Sequence, residues 1–94
     1  MVAYANLLPK RAYIQGEVMD MLLRIIKRTR LEHNKTEQQA ADWLNISKRT
    51  YQRLERGERK RIPIAWMCRL AELYHISAEV FLRDAIEEIE REKL

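Results

Sequence analysis

The chain has 94 residues, with 18 Lys/Arg against 14 Asp/Glu and only two glycines, two prolines and one cysteine. This is one small domain, rich in helix formers and too poor in turn residues for a many-stranded fold. The lone Cys68 excludes an internal disulfide, no Cys/His cluster has metal-ligand spacing, and no apolar run is long enough to cross a bilayer. Leu7-Leu8 followed by Pro9 is too short for a signal sequence, so the expectation is a cytoplasmic all-α protein with no cofactor.

Residues 1–14 show no clear period, and Pro9 breaks any regular helix there; they read as an N-terminal arm preceding one domain over 15–94. A first helix is predicted from about Gln15 to Glu32, with Val18, Leu22, Ile25, Ile26 and Thr29 on its buried side. His33-Asn34-Lys35 stops it. Thr36 then caps a second helix, with Gln39 three residues on completing a capping box. Ala40, Ala41 and Leu44 share one face of that helix; Tyr51 and Leu54 share a face of the next.

Between these two helices Asn45-Ile46-Ser47 forms a corner. Asn tolerates a left-handed backbone, Ile46 plugs the angle, and Ser47 can accept a hydrogen bond from the following free amides. Gly57 suits the left-handed position past the third helix, and Glu58 to Ile62 read as a basic loop. Pro63 fits the first position of a fourth helix reaching about Tyr74, which buries Ile64, Met67, Leu70, Ala71 and Tyr74. Ser77 caps a fifth helix over 77–93, with Val80, Phe81, Leu82, Ala85, Ile86 and Ile89 as its apolar set.

Two short helices joined in this way over 36–57 are how a helix-turn-helix is built. The charge agrees in its distribution. Residues 24–61 carry twelve Lys/Arg against five Asp/Glu, whereas 62–94 carry four against seven. Basic charge thus concentrates on the segment that would face a polyanion.

At these residues the chain resembles the phage Cro and repressor (XRE) family of helix-turn-helix DNA-binding domains. The resemblance runs from roughly Leu22 to Leu82 and is carried by Ala41, the Asn45-Ile46-Ser47 corner, the ending Tyr51-Gln52-Arg53-Leu54-Glu55-Arg56-Gly57, and Leu70 to Ser77. It implies a compact five-helix, lambda-repressor-like fold with an N-terminal extension and a long C-terminal helix. It also implies an ion pair between Arg30 and Glu55, which would fasten the first helix to the third through a bidentate guanidinium. The chain departs from the family at Glu37, where Gln is usual and hydrogen-bonds a phosphate. A carboxylate repels phosphate, so Glu37 is left out of the contact set. Asn45 stands where Gly is favoured, and Ala40 replaces a Leu.

By matching motif positions, Lys48, Arg49, Gln52 and Arg53 are the expected base readers. Arg and Lys address guanine O6 and N7, and Gln addresses adenine N6 and N7. Thr36, Gln38, Thr50, Arg59, Lys60 and Arg61 are expected at the DNA backbone, Arg61 with a minor-groove alternative. Arg24, Lys27 and Arg28 read mainly as a solvated face. His33 and His75 read as caps or packing residues, and Cys68 as an inert thiol. Trp43 and Trp66 pack or receive the arm or a partner. No nucleophile–base pair or Gly-rich phosphate loop is visible, so no catalysis is expected.

A single small reading unit covers few bases, so a homodimer on a near-palindromic operator is expected, with Phe81, Ile86 and Ile89 at its interface. The alternative is that this stripe covers the arm within one monomer. The expected function is a sequence-specific transcriptional regulator of double-stranded DNA, foremost a phage-type repressor. An antitoxin wrapping a toxin, or a helical protein-interaction module, are the alternatives.

Overall fold

The computed structural model describes residues 13–93. A short strand β1 (Tyr13–Gln15) leads into α1 (Gly16–Glu32), followed by α2 (Glu37–Leu44) and α3 (Lys48–Glu55). A second strand β2 (Arg61–Pro63) precedes α4 (Ile64–Leu73) and α5 (Ala78–Glu92). Five helices in the expected order form an all-α body. The expected arm lies mostly outside the described residues, but its boundary at residue 14 falls inside β1.

Helix α1 buries more than one stripe. Beyond Leu22, Ile25, Ile26 and Thr29, it encloses Met19, Met21, Leu23 and Arg30. The cause is its central position: it packs along α5, touches α3 and supports both strands. The Thr29 hydroxyl is satisfied inside its own helix, donating to the Ile25 carbonyl at 2.8 Å.

Four successive helices stop in the same way. Asn34, Asn45, Gly57 and His75 all have φ between 55° and 75°. In each case the residue's own amide reaches the carbonyl three positions back, and the next amide reaches five back, as in Lys35 to Arg30 or Ile76 to Ala71. This is the Schellman arrangement, which satisfies the last carbonyls of a helix while reversing the chain. Only Gly57 adopts it without a Cβ penalty.

The strands are a correction to the sequence reading, which had an arm and a basic loop here. They pair antiparallel, with Tyr13 opposite Pro63, Ile14 opposite Ile62 and Gln15 opposite Arg61. Alternation turns Ile14 and Ile62 to the core and leaves Tyr13, Gln15 and Arg61 exposed. Gly16, at φ +76°, makes the turn from β1 into α1. Pro63 is consequently the last residue of β2, with ψ 135°, and α4 begins one position later than expected.

Two of the three residues expected at a dimer interface on α5 lie inside the monomer instead. Phe81 is 1 % exposed and Ile89 8 %, both within the monomer's own core. Helix α5 runs lengthwise against α1, and the contacts Arg24–Glu92 and Glu17–Lys93, each 3.8 Å, mark how far its last turn remains docked. Only Ile86, at 46 %, faces outward. No described helix is long and apolar enough to cross a membrane.

Candidate nucleic-acid interface

The corner between α2 and α3 is set by side chains bonding their own backbone. Thr36 Oγ1 accepts from the Gln39 amide at 3.0 Å, and Gln39 Oε1 accepts from the Thr36 amide at 2.8 Å. This capping box fixes the start of α2. Asn45 (φ 59°, ψ 44°) reverses the chain, and Ile46 packs against the core beneath it. Ser47 Oγ then accepts from the Thr50 amide at 3.1 Å and donates to Thr50 Oγ1 at 2.8 Å, capping α3.

Helix α3 is anchored from below. Tyr51 and Leu54 are fully buried. Arg30 Nε and Nη2 donate to the two Glu55 oxygens at 2.7 and 3.1 Å, and Arg30 Nη1 donates to the Lys35 carbonyl at 2.8 Å. The two side chains are only 9 % and 4 % exposed. Tyr51 Oη adds a 2.5 Å bond to Glu55 Oε2. The Glu55 hydrogen bonds hold the Arg30 guanidinium still more firmly protonated, against the opposing effect of burial. Burial first, and then the Glu55 carboxylate, push the Tyr51 hydroxyl far above its ordinary value. First helix, third helix and the turn after α1 are thereby joined at one buried point.

With that side fixed inward, α3 turns Lys48, Arg49 and Arg53 to solvent. Gln52 sits differently. It is half-buried, and its Nε2 donates to Glu37 Oε1 at 3.3 Å, so it lies at the rim beside the start of α2. Among the residues expected at the DNA backbone, Thr36 and Thr50 serve as cap partners and Gln38 donates to Asp42 at 2.8 Å. Arg59 shares a surface hollow with Thr50 and Arg53. Lys60 and Arg61 follow, both exposed. The sequence reading missed the Glu37–Gln52 contact and the Tyr51 bond to Glu55.

Trp43 and Arg69 exchange bonds between α2 and α4, indole to Arg69 carbonyl at 2.7 Å and guanidinium to Trp43 carbonyl at 2.6 Å. Burial raises the Cys68 thiol pKa. Among the described residues no three His, Cys, Asp or Glu side chains gather as a metal site.

A family model described as a helix-turn-helix domain matches residues 22–83. The chain belongs to that family. The matched span opens within α1 and closes within α5, so this helix-turn-helix domain contains the corner, the exposed side of α3 and the buried Arg30–Glu55 pair, and leaves β1 outside. DNA binding is the function that family membership carries. No curated protein and no solved structure matches the chain.

Proposed function

We propose that this domain is a sequence-specific transcriptional regulator that inserts α3 into the major groove of an operator and represses by occupying it, in the manner of a phage repressor. Lys48, Arg49 and Arg53 read base edges, and Gln52 reads from the rim with its amide turned by Glu37. Arg59, Lys60 and Arg61 hold the adjacent phosphates. The observation that carries this is the two-sidedness of α3: its inner side is tied by Leu54, Tyr51 and Glu55, while its outer side offers three cations to solvent. A helix anchored so firmly presents those cations in a fixed register, which base recognition requires.

The operator is bound by a homodimer, since one reading helix covers too few bases for selectivity. With Phe81 and Ile89 inside the monomer, the remaining apolar contribution from α5 is Ile86. Selection of bound sites from random duplexes, combined with the mass of the protein and its complex in solution, tests specificity and stoichiometry together. Arg49→Ala should cost about 1–3 kcal/mol at one base position, while Lys60→Ala should weaken all sequences and flatten the salt dependence. Equal losses without altered specificity would remove the base-reader assignment.

A further inference from the structure

The two strands bring Tyr13, from outside the helix-turn-helix match, against the loop that follows the reading helix. Arg61 Cζ lies 4.1 Å from the centre of the Tyr13 ring, and Arg59 Cζ lies 4.9 Å from that of Trp66. Two of three consecutive cations are thus seated on aromatic faces. Among the described residues no carboxylate lies within ion-pair distance of Arg59, Lys60 or Arg61, the nearest such contact being Arg56 to Glu58 at 4.0 Å. A ring differs from a carboxylate in what it does to a cation. It fixes the guanidinium plane without neutralising the charge, and it leaves the N–H groups along the edge free to donate. Held, charged and undersaturated is the state that a phosphate contact needs.

We propose that the β-ribbon is a second DNA-contacting element, in which Tyr13 and Trp66 are positioning residues that pre-arrange Arg61 and Arg59 for the phosphate backbone flanking the groove entered by α3. This rests on the DNA-binding reading above. Arg59 opens onto the same hollow as Thr50 and Arg53 of α3, with Glu58 the one acidic neighbour there. The loop that leads into the ribbon therefore continues the charged surface of the reading helix. Lys60, without a ring, contributes charge alone.

The test is duplex binding over a range of salt concentrations for Tyr13→Ala, Tyr13→Phe, Arg61→Ala and the Tyr13→Ala/Arg61→Ala pair, with Arg49→Ala alongside. Tyr13 is 44 % exposed, so its replacement leaves the core intact, and a thermal melt verifies that. Tyr13→Ala should weaken binding to every sequence by about 2- to 10-fold, the ordering cost of one long side chain at an interface, with the salt slope unchanged. Tyr13→Phe should match the parent. Arg61→Ala should lower the slope by about one contact, and the double variant should be no weaker than Arg61→Ala alone. Unchanged affinity in Tyr13→Ala, or losses that add in the double variant, overturns the positioning role. An effect of Arg49→Ala with none of Arg61→Ala overturns the ribbon's part and leaves the reading helix standing; absence of duplex binding by the parent overturns both.

Discussion

Removing Arg30 tests the internal frame of the reading helix. In Arg30→Met the Glu55 carboxylate, 4 % exposed, keeps only the Tyr51 hydroxyl, and the Lys35 carbonyl loses its donor. An uncompensated buried charge of this kind costs about 3–5 kcal/mol. A domain of this size has a total stability of about 5–15 kcal/mol, so the variant should be barely folded at room temperature or should melt tens of degrees early, about 4–8 °C per kcal/mol. Urea unfolding followed by helical circular dichroism measures it, with the slope watched for loss of two-state behaviour. The companion variant Arg30→Met/Glu55→Leu should recover much of the loss, because a buried pair roughly breaks even against apolar side chains of similar volume. Recovery should stop short by about 1–3 kcal/mol for the Tyr51 hydroxyl, which is left unpaired in the buried site. A single-variant loss below about 1 kcal/mol, the range of solvent-exposed pairs, would refute the claim that water is excluded from this contact.

His75→Gly should stabilise the domain by up to about 1 kcal/mol in the same unfolding assay. His75 holds φ 58° with an exposed side chain, and relief of about 1–2 kcal/mol outweighs the added freedom of glycine in the unfolded chain. At alkaline pH, Tyr51 and Tyr74 should remain protonated until the protein unfolds. Burial pushes Tyr74 up to about 12 against the influence of Arg30, and Tyr51 is raised further by burial and by Glu55. Between pH 10 and 12 the unfolded chain then releases protons that the folded chain keeps, so stability falls with rising pH, about 1.4 kcal/mol per unit for each tyrosine. Below pH 12, tyrosinate absorbance from these two should appear only together with loss of helix. Glu37→Gln should tighten binding to all duplexes by about fivefold, from roughly 1 kcal/mol of relieved charge repulsion, and reduce discrimination at the base facing Gln52. Competition between matched and single-substituted operators separates the two effects.

The parts of this fold legible in the sequence are those in which a residue bonds its own neighbourhood. Thr36 with Gln39, Ser47 with Thr50, and the left-handed Asn45 and Gly57 act within a few positions, so residue type and spacing reveal them. The ribbon is different. Tyr13–Gln15 and Arg61–Pro63 are three residues each, a signal too short to register, and they pair across about half the length of the chain. Phe81 and Ile89 illustrate a second limit. A helical stripe shows that a face is covered without showing by what, and here the monomer's own core covers both. Motif position marks Gln52, yet its lean toward Glu37 depends on how α2 and α3 cross, which no local pattern records.

The left-handed Asn45 has a mechanical corollary. With both neighbouring helix ends closed by hydrogen bonds and Ile46 wedged below, no hinge lies between the two helices for α3 to swing on. On the proposed reading, with α3 in the groove of an operator, accommodation to sites of unequal width or twist then falls on the nucleic acid, through base-pair steps outside the reach of α3. Flexible pyrimidine–purine steps near the edges of a site should accordingly be favoured over stiff adenine tracts wherever the duplex must bend to meet the ribbon.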